Sequence, residues 1–244
     1  MIVHQHNQQW YVDKLNNNEY FSFGMYGDGE WIGIFKTRVD GANAEDTLYT
    51  PKVCDGLIES LRYRADNWYF STPDVLKNAQ WTGIGEKIID RHLQKYNVND
   101  IEFIEKEIWD KDVKDCKLQP IIKALKKKNI CIISNKALRK LTFLNYDHFI
   151  EIGYPNWFDD DYDRILKEVL DYGKEDTVYL VAAGLPATIL CQDIHKNIKN
   201  CWAFDLGSIW DAFCGIGAQR GWRESLYSEP ERYKQWMKDS LKGT

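Results

Sequence analysis

The residues best suited to do chemistry lie in one short acidic turn. An aromatic, apolar run ends in the sequence Tyr26-Gly27-Asp28-Gly29-Glu30. Two carboxylates at this spacing can offer oxygen ligands to one hard divalent cation, Mn²⁺ or Mg²⁺. The glycines permit a tight turn and let the backbone approach a phosphate closely. We therefore predict that Asp28 and Glu30 bind a metal that neutralises a diphosphate, although an acidic turn without function would use the same residue types.

A second glycine-containing turn follows a strongly apolar run at Val178–Ala183. Gly184 lets the backbone turn closely, and Pro186 suits the first turn of a helix, where its missing N–H costs nothing. Helix N-termini attract phosphate oxygens. We predict that Gly184 and Pro186 help to hold a nucleotide, while a plain strand-to-helix connection is the alternative.

Two further strand ends carry polar side chains. Ser134, Asn135 and Lys136 offer a hydroxyl, an amide and a cation, which could read a nucleobase or bind a phosphate, or could form a solvated loop. Asp205 could accept a hydrogen bond from a ribose hydroxyl or serve as the base that activates an acceptor. It could equally cap the helix that follows.

These residues need strands and helices to bring them together. Apolar, β-rich runs predict strands at Tyr20–Tyr26, Trp68–Thr72, Ile101–Ile104, Ile130–Asn135, Phe149–Ile152, Val178–Ala183 and Cys201–Leu206. Helical spacing of apolar residues predicts helices at Pro51–Asn67, Gly83–Tyr96, Leu118–Lys128, Ala137–Leu144, Asp159–Tyr172 and Pro186–Lys196. We expect the start of the chain, with His4 and His6, to be disordered. One more helix is expected beyond Glu229.

The alternation of strands and helices predicts an α/β fold, a Rossmann-like, doubly wound and mostly parallel sheet. The 244 residues suit a single domain, with a core at about 20–212 and a helical C-terminal extension at about 213–244. Such sheets bind ligands outside the carboxyl ends of their strands. The loops at 27–31, 134–136, 183–187 and 205–211 therefore carry the predicted site.

The chain resembles the GT-D-fold glycosyltransferases over roughly residues 20 to 212, with its motifs in the same order. The acidic turn followed by Trp31-Ile32 is similar to the opening motif of that family, in which Asp-x-Glu replaces the Asp-x-Asp of other metal-dependent glycosyltransferases. Ile130–Lys136 is similar to the family's middle strand and the loop that follows it. Val181–Ala187 resembles the family's glycine-containing strand-to-helix turn, and Phe204–Ser208 resembles its final strand.

This resemblance implies transfer of a hexose, glucose as first expectation, from a nucleoside-diphosphate sugar, with UDP-glucose as the first donor to test. It implies a divalent metal at Asp28 and Glu30 and a nucleotide-sugar site formed by Tyr26, Gly27, Gly29, Ser134, Asn135, Lys136, Gly184, Pro186 and Ser208. Asp205 is the candidate acceptor base. The acceptor could be a hydroxyl on a glycan, a glycoprotein or another macromolecule.

One departure from the family pattern opens a second hypothesis. An arginine commonly precedes the aromatic-Gly-Asp-Gly-Glu motif, and Met25 stands at that position here. Another base must then hold the donor phosphates, or the donor differs. The chain could also be a non-catalytic module that binds a nucleotide or nucleotide sugar with the same fold. An oxidoreductase or methyltransferase is disfavoured, because no Gly-x-Gly-x-x-Gly fingerprint follows a strand.

Composition limits the remaining classes. The net charge of −5 and pI near 5.6 disfavour a nucleic-acid partner, which usually requires a basic excess. No segment approaches the ~18 apolar residues of a membrane span, and no basic segment with an apolar stretch marks a signal peptide. The six cysteines form no Cys-x-x-Cys pair. We expect a soluble, reduced, cytoplasmic protein.

Overall fold

The computed structural model describes residues 1–36, 47–73, 83–115, 117–153 and 156–214, together with residue 235. Eight strands form one sheet in which every pair is parallel. The strands are β1 (Ile2–His4), β2 (Ser22–Met25), β3 (Trp68–Thr72), β4 (Glu102–Glu105), β5 (Asn129–Ser134), β6 (His148–Glu151), β7 (Thr177–Ala182) and β8 (Trp202–Asp205). Their order across the sheet is β1-β4-β3-β2-β8-β7-β5-β6.

Helices follow the strands along the chain. They are α1 (Gln8–Asn16), α2 (Asp28–Phe35), α3 (Pro51–Ser60), α4 (Glu86–Lys95), α5 (Glu107–Lys114), α6 (Gln119–Leu125), α7 (Trp157–Asp160), α8 (Tyr162–Tyr172), α9 (Ala187–Asn197) and α10 (Asp211–Cys214), with 3-10 turns at Lys136–Lys140 and Thr142–Leu144. Side-chain caps begin several of them. Asn7 accepts from the N–H of Trp10 before α1, and Thr50 accepts from the N–H of Val53 before α3.

Helices cover both faces of the sheet and bury two separate apolar cores. One core joins the sheet to α2, α3, α4, α8 and α9, and we call this side the α9 face. The other joins it to α1, α5, α6, α10 and the 3-10 turns, and we call this side the α1 face. Because side chains alternate along a strand, each strand feeds both cores. Phe23 of β2 packs on the α1 face, whereas Phe70 of β3 packs on the α9 face.

The strand order places the four predicted loops side by side. They follow β2, β8, β7 and β5, which are consecutive neighbours in the sheet. After β2 the chain turns to α2 on the α9 face, whereas after β8 it turns to α10 on the α1 face. Connections that leave neighbouring strands on opposite faces create the position at which parallel sheets bind ligands. The boundary between β2 and β8 is that position.

The start of the chain was predicted wrongly. Ile2–His4 forms the edge strand β1 beside β4, and His4 Nε2 lies 2.7 Å from Glu102 Oε2. Helix α1 follows at once and packs against α6. The signal was missed because three residues of an edge strand carry too little alternation to distinguish them from a loop.

Other predictions compare directly with the structure. The fold class is confirmed, and the helix expected at Pro51–Asn67 ends at Ser60, where Leu61 begins a turn toward β3. The C-terminal extension after Cys214 and the helix expected beyond Glu229 lie outside the described residues, apart from residue 235. Within the described part of the chain, no helix has the length and apolar character needed to cross a membrane. The cysteines described there are free thiols.

Candidate active site

The two acids of the predicted turn lie in the first turn of α2. Gly27 precedes the helix with φ −86° and ψ −167°, and α2 begins at Asp28. The carboxylate of Glu30 turns back, and Gly27 N donates to Glu30 Oε2 over 2.7 Å. Asp28 points to an exposed position. The positive end of the helix dipole favours both acids, but one is fixed as a cap and the other is open to a ligand.

Glu30 is held in an environment that opposes its negative charge. Its side chain is only 6 % exposed. Burial, followed by the negative charge of Asp205, raises the pKa of Glu30 from 4.5 to about 8, and Asp28 adds to the repulsion. The hydrogen bond from Gly27 offsets part of this effect. Three carboxylates therefore influence one another at the end of β2, and a nearby cation would relieve their repulsion.

Asp205 ends β8 and is tied to the neighbouring strand and helix. It is 1 % exposed. Its Oδ2 accepts from Thr188 Oγ1 over 2.8 Å and from the backbone N–H of Met25 over 3.3 Å, while Oδ1 accepts from Gly207 N over 3.2 Å. Burial raises the pKa of Asp205 to about 6, and the Thr188 bond and the charge of Lys106 counteract that rise. The carboxylate thus joins β2, β8 and α9.

Thr188 reaches this carboxylate because β2 has no side chain in its way. A Cβ on Gly24 would lie 2.8 Å from Thr188 Cγ2 and 3.1 Å from its Oγ1. The Thr188 hydroxyl also lies 2.8 Å from the carbonyl oxygen of Met25. A hydroxyl has one proton and can donate to only one of these acceptors at a time. An ionised Asp205 competes best for that proton, since charged acceptors form the stronger hydrogen bonds.

The second glycine-containing turn lies against the first. Leu185 is buried, and its Cδ2 lies 2.8 Å from the place that a Cβ on Gly29 would take. Trp157 Nε1 donates to the carbonyl oxygen of Ala183 over 2.9 Å and holds the turn from below. Pro186 lies directly before α9. The structure therefore brings Gly184 and Pro186 beside the Asp28 turn, on the α9 face.

The third predicted loop lies farther along the edge of the sheet. β5 is separated from β2 by β7 and β8, which corresponds to about 14 Å at the usual strand spacing. The hydroxyl of Ser134 is completely buried and donates to the carbonyl oxygen of Ala182 over 2.7 Å. Asn135 Oδ1 accepts from Ala137 N and caps the 3-10 turn. Lys136 is exposed. Of the three, Lys136 is the side chain most open to a ligand.

Two more predicted binding residues have defined places. Tyr26 is buried in the core, where its hydroxyl lies 2.8 Å from Ser60 Oγ and burial raises its pKa. Only its backbone can therefore face a ligand at this edge. Ser208 is half-buried after β8, and its carbonyl oxygen accepts from Asp211 N as α10 begins. A binding role for either residue stays a prediction.

Sequence reasoning did not single out Thr188 or Lys106. Thr188 is the second residue of α9, and its polar side chain in an otherwise apolar helical turn was the available signal. Lys106 follows the short strand β4 and is 5 % exposed, although a lysine is rarely buried to this extent. Both residues are far from the acidic turn in sequence, and the strand order of the sheet brings them near it.

The site can be tested for its fit to a divalent cation. Among the described residues, no three His, Cys, Asp or Glu side chains are grouped as ligands of one ion. Magnesium in phosphate-transfer sites commonly uses one or two protein carboxylates, completed by substrate oxygens and water. Asp28 is exposed and can coordinate a cation, and a cation would relieve the charge repulsion at Glu30. The residues present fit a shared protein–substrate metal site.

A family model matches the second part of the chain. A family model described as the GT-D fold-like domain matches residues 81–213, which is more than half of the chain. The matched segment contains β4 to β8 with Asp205, whereas Asp28 and Glu30 precede it. No curated protein matches the sequence.

Solved structures are similar over most of the chain. A selenomethionine-substituted structure of domain of unknown function 1792 has a TM-score of 0.59 and 21 % identity, covering 86 % of this chain and 79 % of that one. A second, described as showing that this domain has a distinct glycosyltransferase fold, has a TM-score of 0.55 with the same identity and coverage. A third, described as a new glycosyltransferase from Streptococcus sanguinis, has a TM-score of 0.59 and 15 % identity, covering 89 % and 87 %.

At these identities the solved structures establish the fold, and the family model establishes the relationship. The parallel sheet is consistent with that fold. The chain therefore belongs to the GT-D fold-like family and has a glycosyltransferase fold.

Proposed function

We propose that this protein is a metal-dependent hexosyltransferase. It moves a sugar, glucose as first candidate, from a UDP-linked or other nucleoside-diphosphate donor to a hydroxyl of a macromolecular acceptor. The observation that carries the proposal is the acidic turn of α2 at the boundary between β2 and β8. There an exposed Asp28 lies beside two buried carboxylates, Glu30 and Asp205, in a glycosyltransferase fold.

Asp28 and Glu30 are the residues that hold Mn²⁺ or Mg²⁺ in this proposal. Such a cation, when bound, neutralises the charge that develops on the leaving diphosphate. Asp28 supplies an oxygen ligand without loss of a packed contact, because it is exposed at the start of α2. Glu30 stays fixed by the Gly27 N–H and keeps the acidic turn in one geometry. Fixed ligands avoid reorganisation during the reaction.

The nucleotide is proposed to lie along the carboxyl edge of the sheet. In this proposal the backbone at Gly27 and Gly29 approaches the phosphates at the first turn, and Gly184 with Pro186 presents the start of α9 to the same region. Lys136, from the loop that begins at Ser134 and Asn135, is the more distant contact. For Asp205 the proposed role is that of acceptor base, although its hydrogen bonds also suit it to hold β2 and α9 in place.

A panel of nucleotide sugars tests this function directly. Each donor is incubated with the protein and Mn²⁺, and the released nucleoside diphosphate is measured beside a sample that contains a chelator. We expect one donor to be turned over only when metal is present. Absence of turnover across the panel, with no thermal shift from any nucleoside diphosphate, would contradict both the proposed donor and the proposed nucleotide site.

A specific observation also favours the binding-module alternative. Glu30 and Asp205 are buried and already hydrogen-bonded, so only Asp28 offers an open carboxylate among the three. A module that only binds would be stabilised by the nucleotide sugar and would leave it intact. Metal-dependent hydrolysis or transfer of a donor that also raises the melting temperature separates the enzyme from the module.

A further inference from the structure

A buried cation lies on the other side of the same strand ends. Lys106 follows β4 at the carboxyl edge, where its backbone N–H donates to the carbonyl oxygen of Thr72 over 2.9 Å. Its side chain is 5 % exposed. A Cβ on Gly207 would lie 3.8 Å from Lys106 Nζ and 2.8 Å from Met25 Cε. The ammonium group therefore reaches the loop that follows β8.

A buried hydroxyl lies on the α1 face at the end of β3. Met25 and Ser71 are register partners on β2 and β3, two residues beyond Phe23 and Tyr69, which both pack on the α1 face. Alternation along the strands turns Met25 and Ser71 toward that face as well. Ser71 is completely buried, and its hydroxyl has no hydrogen-bond partner among the described residues. An unsatisfied buried hydroxyl costs about 1–3 kcal/mol unless a ligand or water binds it.

Gly207 completes the arrangement with backbone. Its φ of +53° is a left-handed conformation that a glycine adopts without strain, and the absence of a Cβ lets Met25 Cε approach its backbone closely beside Lys106. The Gly207 N–H contacts Asp205 over 3.2 Å. A cation and a hydroxyl donor are groups that bind phosphate oxygens.

We infer that Lys106 binds a phosphate of the donor's diphosphate at the β2–β8 boundary, from the α1 face, opposite the acidic turn of α2. This inference rests on the proposed function. Lysine serves as a point charge toward phosphate, and a buried lysine is screened little by salt. The negative diphosphate is then bound between Lys106 on one side and the cation held by Asp28 on the other.

The test compares a nucleoside diphosphate with its own nucleoside. Calorimetry with the wild type selects the tightest binder among UDP, GDP and ADP, and the matching nucleoside measures binding of base and ribose alone. Lys106→Met should lower the affinity for the diphosphate by at least about 10-fold, because a phosphate contact is lost. The affinity for the nucleoside should change less than about 2-fold. Lys106→Arg should retain most of the affinity. Lys128→Met is the matched control, since Lys128 lies over Trp202 at the amino edge of the sheet.

A second pair of variants tests the same position without removing the lysine. Met25→Glu places a carboxylate beside Lys106 and should lower the affinity for the diphosphate as much as Lys106→Met does. Met25→Leu should leave that affinity unchanged. Equal diphosphate affinity in the wild type, Lys106→Met and Met25→Glu would overturn the inference and leave the proposed function intact. A wild type that binds none of the three diphosphates would overturn both.

Discussion

Asp28 and Glu30 are separated by a single residue in the sequence and lie in opposite environments. Asp28 is exposed at the start of α2, whereas Glu30 is 6 % exposed and bonded to the N–H of Gly27. The turn itself causes this difference, because a helix carries the third residue of its first turn back over the residue before the helix. One acid is therefore available to a ligand, and the other fixes the shape of the turn.

The buried position of Glu30 predicts a dependence of stability on pH. Its pKa is about 8 in the folded protein against 4.5 ordinarily, so the folded state holds a proton that the unfolded chain has released between these values. Stability of the metal-free protein must then fall as pH rises through this window. Glu30→Gln keeps an oxygen for Gly27 N and has no charge. The difference in melting temperature, Glu30→Gln minus wild type, should increase by about 3 °C or more from pH 5.5 to pH 8.5, both measured with chelator.

Measuring both proteins at both pH values is the control in this experiment. A constant shift from pH 5.5 to pH 8.5 would mean that Glu30 is not held in an environment that opposes its charge. Asp205, with a pKa of about 6, contributes a fall in stability of the same sign at lower pH, from near 4 up to about 6, in both proteins.

Thr188 gives a second prediction for a single residue. Thr188→Val keeps the shape of the side chain and removes the donor to Asp205 Oδ2. Leaving a buried, charged carboxylate without that donor should lower the free energy of unfolding by about 2–3 kcal/mol. Thr188→Ser keeps the hydroxyl and should lose about 1 kcal/mol for one methyl group. Urea unfolding of both variants measures the difference, and equal losses would contradict a role for the hydroxyl.

At the scale of elements, the contact of α9 with β2 positions the site. Gly24 allows Thr188 to approach β2, and Gly29 allows Leu185 to approach α2. Both contacts lie on the α9 face, and together they fix the two glycine-containing turns against each other. The acidic turn thus depends on the close fit of a strand, the helix that follows it and a helix from the second half of the chain.

Gly24→Ala tests this fit. The added Cβ would lie 2.8 Å from Thr188 Cγ2 and 3.1 Å from Trp68 Cζ2, both in well-packed surroundings. We expect a loss of about 1–3 kcal/mol from overpacking, together with weaker activity because Thr188 must move. Gly153→Ala is the control, since no atom of the described residues lies within 4 Å of its added Cβ. Denaturant unfolding of the two variants should separate them, and equal stability would refute the tight contact.

Elements with strong local patterns could be predicted from the sequence. The strands β5 and β7 are buried apolar runs between helices, and their centres were placed correctly. The strand β1 and helix α1 could not be placed, because β1 gains its order from a strand about one hundred residues later. The acids Asp28, Glu30 and Asp205 could be singled out from their types and loops, and the structure brings them near one another. Their role in binding or catalysis stays a prediction.

The remaining site residues depend on the strand order. Lys106 reaches the β2–β8 boundary from the end of β4, which β3 separates from β2, and Thr188 reaches it from α9. No local pattern reports either approach. Ser134 shows the reverse case, since its type suggested a ligand contact and its hydroxyl bonds the neighbouring strand. Residue type alone does not distinguish a hydroxyl that satisfies a backbone carbonyl from one that binds substrate.

At the scale of the whole molecule, one parallel sheet joins two halves of the chain at β2 and β8. β2 brings the acidic turn, β8 brings Asp205, and α9 closes the boundary from one face. The other face of the boundary carries Met25 and Lys106. A ligand at this boundary would contact both halves, so its binding should stabilise the whole domain rather than one element.

Asp28→Asn measures the central claim most directly. The substitution removes one negative charge at an exposed position, so the fold should keep its melting temperature within about 1 °C. With the donor identified in the panel, Mn²⁺-dependent release of the nucleoside diphosphate should fall by about 100-fold or more, because the open metal ligand is lost. Asp13→Asn in α1, an exposed acid away from this edge, should retain full turnover. Turnover by Asp28→Asn equal to that of Asp13→Asn would contradict a metal-dependent transfer at the acidic turn.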